Sequence, residues 1–247
     1  MRVTSMKSQV VGLAMMILLQ GIAASCASPA LADQLSPAKT APVARDPCWT
    51  FAETKQFIHV NMVMKLERTA VRLRIPLVDI VNPWDRRDGD FKALYFEMEY
   101  GSFRPLTAPE TAGKDTIAFL IHDTIPLEQT AQVFLKVMMR QPSLPLSRYP
   151  TRPAQFALTE VVADQTKGLR WDLFLHRSDE GTLETYVGCS RPDPLWGPFP
   201  RCQQYFRAAG LDVEVGYARK HLAQWREMKA AVSQFLACAK SGDQSGE

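Results

Sequence analysis

Residues 57–66 read FIHVNMVMKL, with Ile58, Val60, Met62, Met64 and Leu66 alternating with His59, Asn61, Val63 and Lys65. A side-chain period of two is the signature of a strand buried on one face, and it constrains the chain more than any other feature because it recurs along most of its length. Val71, Leu73 and Ile75 repeat the pattern after the short connection Glu67–Ala70, which predicts a hairpin. Asp88-Gly89 precedes a further strand, FKALYFEMEY, with Leu94, Phe96, Met98 and Tyr100 on one side. TIAFLIHD, 116–123, is apolar at nearly every position and reads as a central strand.

Helical spacing enters twice. Behind Pro126, the residues Leu127, Ala131, Phe134 and Met138 fall on one face and predict a helix over 127–140. A second helix is expected near 219–239, with Leu222, Trp225, Val232, Phe235 and Leu236 on its apolar side. Between them four strands are expected near 156–163, 169–176, 182–189 and 203–217, the last split by Gly210, with turns at Gly168 and Gly181. Strands followed by a helix, twice over, predict an α+β domain: a mainly antiparallel sheet covered by two helices, stapled by disulfides.

The disulfide expectation follows from the address. Residues 1–32 have the parts of a secretory signal: Arg2 and Lys7, an apolar run from Val10 to Ala24, and Ala30-Leu31-Ala32 before Asp33. Cleavage after Ala32 is expected. Two alternatives are a lipoprotein signal, in which Ala23-Ala24-Ser25 precedes a lipidated Cys26, and an uncleaved membrane anchor. Membrane attachment is expected only by those two routes. The leader implies a periplasmic or secreted protein, and in an oxidising compartment the four remaining cysteines pair. Cys189 and Cys202 end and begin consecutive strands, so their bridge would close the base of the loop between them, worth about 3 kcal/mol in the chain-entropy picture. Of the three pairings that four cysteines allow, this one is favoured, and it leaves Cys48 for Cys238, near the end of the last helix. Residues 33–47 read as a flexible linker, 48–240 as one domain, and 241–247 as a disordered tail.

Several function classes are disfavoured. Without the leader, 27 Lys and Arg face 26 acidic residues, a net charge of +1 with no basic run, so no nucleic-acid partner is expected. His59, His122, His176 and His221 form no H-E-x-x-H pair, and neither G-x-S-x-G nor a phosphate-binding loop occurs. No catalytic residue, metal site or cofactor is assigned. His122-Asp123 is the best dyad, yet neighbours on a strand point to opposite faces, and a role for Asp123 or Thr124 in capping the next helix is preferred. Asp85, Asp88 and Asp90 in WDRRDGD lack the distal Glu of a calcium loop and read as a hairpin turn whose charges Arg86 and Arg87 compensate.

The stretch CSRPDPLWGPFPRC, 189–202, holds four prolines and two large apolar side chains, Trp196 and Phe199. Proline lacks the amide donor and fixes its own φ, so this is a loop. With Arg201, and with Tyr149 from the proline-rich loop QPSLPLSRYPTRP, it forms the candidate partner-binding surface, because Trp and Arg dominate interface energetics; the equal alternative is that Trp196 and Phe199 fold back to cover the sheet. From Cys189 through Phe206, Gly210 to Tyr217, Leu222, Trp225 and Phe235 to Cys238, the chain resembles the C-terminal part of a group of small exported proteobacterial proteins. Some members of that group look like envelope immunity proteins. The resemblance spans about 50 of 247 residues and implies a non-catalytic protein that binds a partner protein in the envelope. A carrier or sensor of a small apolar ligand and a periplasmic hydrolase are the alternatives.

Overall fold

The computed structural model describes residues 46–106, 115–164, 166, 170–192 and 199–241. The leader with Cys26, nearly all of the linker, the tip of the 189–202 loop with Trp196, and the end of the tail lie outside the described residues.

The alternating pattern builds two sheets. β1 (Phe57–Met64) and β2 (Thr69–Pro76) form the expected hairpin, paired from Phe57 opposite Pro76 to Met64 opposite Thr69. β3 (Gly89–Phe91) joins the other side of β1, in parallel. The stretch expected to be one strand over 91–100 therefore breaks at Lys92: β3 belongs to the small sheet, and β4 (Ala93–Glu99) starts the large one. The stretch is not a hairpin turn, and Asp88 before β3 and Asp90 within it are bonded to β1. Asp88 Oδ1 accepts from the His59 amide at 2.7 Å and Asp90 Oδ1 from Asn61 Nδ2 at 2.9 Å, so both help to hold β3 beside β1.

The large sheet adds β5 (Thr116–His122), β6 (Thr151–Pro153), β7 (Thr159–Val161), β8 (Trp171–Arg177), β9 (Leu183–Ser190), β10 (Arg201–Ala208) and β11 (Leu211–Ala218). Its order is β4-β5-β11-β10-β9-β8-β7-β6, and every recorded pairing within it is antiparallel. β7 is shorter than expected because the chain reaches it through a turn in which Phe156 and Ala157 both adopt positive φ. Among the described residues there are three α-helices: α1 (Trp49–Glu53), α2 (Leu127–Val137) and α3 (Trp225–Ser241). α2 stops three residues short of expectation, and α3 is preceded by a 3₁₀ turn over Arg219–Gln224. Asp123 and Thr124 do not cap α2 with their side chains. Asp123 accepts from the Lys65 amide at 2.8 Å, and the Thr124 amide donates to Asp212 at 3.0 Å.

α3 supplies the centre of the larger core. Its buried face (Trp225, Val232, Phe235, Leu236) meets Phe96 and Phe119 of the large sheet and Leu73 and Ile75 of the small one. The Phe235 ring stands edge-on to Phe96 at 5.4 Å, to Phe119 at 5.6 Å and to Phe51 of α1 at 5.3 Å, the tilted geometry that aromatic quadrupoles favour. Cys48 before α1 is bonded to Cys238 of α3 (S–S 2.01 Å), fixing both ends of the folded region to this core. Cys189 and Cys202 sit opposite each other in β9 and β10 and are bonded, with their Cα atoms 4.0 Å apart.

A smaller core lies on the other face, where α2 packs Ala131, Phe134 and Leu135 against Leu173, Leu175 and Tyr186. The approach is close because β9 has glycine at 188. A Cβ there would stand 2.2 Å from Phe134 Cζ. Leu146 and Tyr149 complete this cluster, so Tyr149 is buried among apolar neighbours with its hydroxyl donating to the Pro142 carbonyl. It is no surface residue. The proline-rich loop that carries it folds inward because it also carries Leu146, which is buried beside it.

One buried carboxyl stands apart. Asp79 is fully inaccessible; its Oδ2 accepts from Thr50 Oγ1 at 2.9 Å, and its Oδ1 has no hydrogen-bond partner. Desolvation disfavours the anion and pushes its pKa up to about 7, against the smaller opposing pull of the Thr50 hydrogen bond.

Two stability predictions follow from these contacts. Gly188→Ala should cost about 1–3 kcal/mol by driving a methyl into Phe134. Gly216→Ala, whose Cβ would meet nothing nearer than 3.8 Å, should gain about 0.5–1 kcal/mol from the entropy glycine loses in a strand. Urea unfolding of the two variants checks the pair. For Asp79, the folded chain holds its proton up to about pH 7, while the unfolded chain releases it near 3.8. Stability should therefore fall as pH rises through that window, by roughly a few kcal/mol, because the folded state binds more protons there. Asp79→Asn should lack this component, so the difference in urea midpoint between variant and parent should change from pH 4 to pH 7.

Candidate functional site

Strand alternation gives the large sheet two faces, and they are covered unequally. The face bearing Phe96, Phe119, Val215 and Phe206 lies in the core built on α3. On the opposite face α2 packs over β8 and β9, while over β4, β5, β11 and β10 no described residue covers the sheet. There the floor is a concavity of about 660 Å³.

The register sets its shape. One cross-strand row runs Tyr95, Leu120, Glu214, Tyr205, and continues to Tyr186 under α2. The next row runs Glu97, Ala118, Gly216, Gln203 and Gly188. Side chains in this second row are small at 118, 216 and 188, so the surface dips into a trough. At Gly188 the protein fills the dip itself with the Phe134 ring. At Gly216 and Ala118 the dip is open, and both residues are part of its lining.

On the side of the trough away from Tyr95 stand Arg201 and Ser190, with Trp171 next to Ser190 on β8. The Arg201 amide donates to Ser190 Oγ at 3.0 Å, and its guanidinium Nη2 lies 3.9 Å from where a Gly216 Cβ would stand. Among the described residues neither the Arg201 guanidinium nor that of Arg170 has a carboxylate partner. Phe199 lies at the same end and is 85% exposed, as is Trp84 on the turn before β3.

Behind this wall is a denser charge cluster. Asp172 is buried, and its two oxygens receive Arg191 and Arg219, each at 2.5 Å. Arg219 also donates to the Ser190 carbonyl at 2.9 Å, tying the start of α3's leading turn to the end of β9. Arg152 is held by Glu160 at 2.8 Å. One carboxylate between two guanidiniums leaves a positive excess here, and Arg170 and Arg201 add to it. Arg170 and Arg191 border both the trough and this cluster.

Of the residues expected to form a binding surface, Phe199 and Arg201 come together at one end of the trough. Trp196 lies outside the described residues, and Tyr149 is in the smaller core. Tyr95, Leu120, Gly216, Trp171, Arg170 and Arg191 were not anticipated. A signal for two of them exists: Tyr95 and Leu120 are large apolar residues at the outward positions of strands whose inward positions are also apolar.

The four histidines do not converge. His59 is exposed on β1, and His176 lies 3.7 Å from Glu184. His122 Nε2 is buried without a partner at the far end of β5. His221 stacks on Tyr100 with ring centroids 3.7 Å apart, and burial lowers its pKa despite Asp115 nearby. Among the described residues no group of three or more His, Cys, Asp or Glu side chains is placed to hold a metal, and no helix is long and apolar enough to cross a membrane.

No protein family matches the chain, and no curated protein does. Among solved structures, the chain is similar to Smlt3025, an immunity protein of the Stenotrophomonas maltophilia type IV secretion system, with a TM-score of 0.53 at 17% identity over 73% of this chain and 92% of that one. The Neisseria meningitidis iron-regulated outer membrane lipoprotein FrpD aligns over 81% of this chain and 96% of its own at 8% identity, with a TM-score of 0.45. At 17% identity the first likeness shows a shared fold.

Proposed function

We propose that this chain is an exported, non-catalytic envelope protein that binds a partner protein through the open half of its large sheet, in the manner of an immunity protein occluding a toxin. The observation that carries the reading is the open face itself. Among the described residues, a sheet that is protected on one side by α3 and on half of the other by α2 leaves Tyr95 and Leu120 uncovered beside an 85% exposed Phe199 and two arginines without a carboxylate partner. Apolar surface of this kind, rimmed by charge, is what protein interfaces use, and Arg and aromatic residues supply most of their energy. The fold shared with an immunity protein supports the same reading. So do the two disulfides, which suit folding in an oxidising compartment outside the cytosol.

The Cys189–Cys202 bond adds to the argument. It fixes the strand ends from which Phe199 and Arg201 project, so less conformational entropy is lost when they are buried by a partner. A trough of about 660 Å³ also falls within the range of small-ligand pockets, which keeps the carrier reading as the competitor.

Site-specific photocrosslinking separates the two. With p-benzoylphenylalanine replacing Phe199 in cells of the source organism, ultraviolet light should join the chain to a discrete second protein. The same group at Leu66, also exposed but on the hairpin of the small sheet, should not yield that product. Failure to obtain any protein adduct at 199, or an identical adduct from 66, overturns the reading.

A further inference from the structure

We infer that the trough takes a segment of the partner protein in which a large apolar side chain is followed by a carboxylate. The inference rests on the partner-binding reading above and adds the chemistry of what is bound. Two independent features lead to it.

The first is the shape of the floor. Gly188, Gly216 and Ala118 share one cross-strand row, and at Gly188 the protein shows what the row accepts, since the Phe134 ring lies within 2.2 Å of the position a Cβ would take. Nothing in the chain's described residues does the same at Gly216, where the nearest atoms to a hypothetical Cβ are the Ala118 carbonyl at 3.8 Å and Arg201 at 3.9 Å. Tyr95 and Leu120 wall this opening with apolar surface. An aromatic or long aliphatic side chain from outside is the complement in size and polarity.

The second is the charge. Arg170, Arg191 and Arg201 all border the trough on one side, and Asp172, the carboxylate behind them, already receives both Arg191 and Arg219. Among the described residues Arg170 and Arg201 have no carboxylate partner, which leaves their guanidinium donors for an incoming group, and the planar fork of arginine matches a carboxylate. Glu214 lines the opposite wall, beside Leu120 in the register. Opposite charges on the two walls orient a ligand, placing its acidic group at the arginines and rejecting the reverse direction. A side-chain carboxylate and a chain-terminal one present the same chemistry.

The test uses the purified, isotopically labelled chain and acetylated hexapeptides followed by amide chemical shifts. The peptide GSGWEE should perturb Gly216, Ala118 and Gln203 and bind at least about tenfold more tightly than GSGWKK or GSGAEE. Arg170→Gln with Arg201→Gln should weaken GSGWEE about tenfold or more, while Arg72→Gln on the small sheet should not. Gly216→Val, which the strand accommodates, should fill the floor and abolish binding. Amidating the peptide's C-terminus distinguishes the carboxylate sources: loss of binding assigns the chain terminus and retention assigns the side chains, and either result upholds the inference. Equal affinity for GSGWKK, unchanged affinity in Gly216→Val, or displacement of the peptide by a lower concentration of dodecanoate overturns it. A protein adduct at residue 199 alongside indifferent peptides would remove this inference and leave the partner-binding reading standing. Selective peptides without any adduct would remove the partner-binding reading and leave only the trough's preference for an apolar residue followed by a carboxylate.

Discussion

The packing of α3 against two sheets at once is the constraint from which the rest of the architecture follows. The β1–β2–β3 sheet has three strands, with one apolar face and little to bury it against. The large sheet has far more surface than one helix can cover. Phe235, in edge contact with Phe51, Phe96 and Phe119, brings both into a single apolar volume, and Cys238 one turn further on ties Cys48 to the same helix. Closing a loop of 190 residues stabilises by about 5 kcal/mol in the chain-entropy picture, an upper figure where the unfolded chain keeps structure.

The same constraint explains why a surface is left open. With α3 committed to one face, α2 is the remaining long helix, and its eleven residues span about 16 Å. That is enough for three or four strands of a sheet whose neighbours are about 4.8 Å apart, not for eight. Gly188 then decides where it lands, because only there does β9 let the Phe134 ring come down onto the backbone. The uncovered strands are consequently those furthest from Gly188 on the β10 side, and their outward residues have become the candidate site.

Much of this is legible in the sequence, and the failures have identifiable causes. Alternation marks β1, β2 and β4, near-continuous apolarity marks β5, and the strands from β8 to β11 are legible between their turns, since a buried strand writes its geometry directly into residue order. The break at Lys92 escaped because the alternation continues through it. Moving from one sheet to the other is a tertiary event with no local mark. Phe156 and Ala157 gave no warning either, as neither is a residue that advertises positive φ. The proline-rich surroundings of Tyr149 read as a surface loop, although Leu146 three residues earlier needs burial too. The site was half readable: Phe199 and Arg201 stood out by type, whereas Gly216 and Ala118 matter only through a register that no single strand reveals.

The Cys48–Cys238 bond has a mechanical consequence. A pull entering the domain at residue 46 meets a covalent link to α3 within two residues, and α3 rests broadside on the larger core. Tension applied there would therefore be carried into the helix without peeling β1 from β2 or any strand from the large sheet. The strands that carry the candidate site are bypassed by that load path.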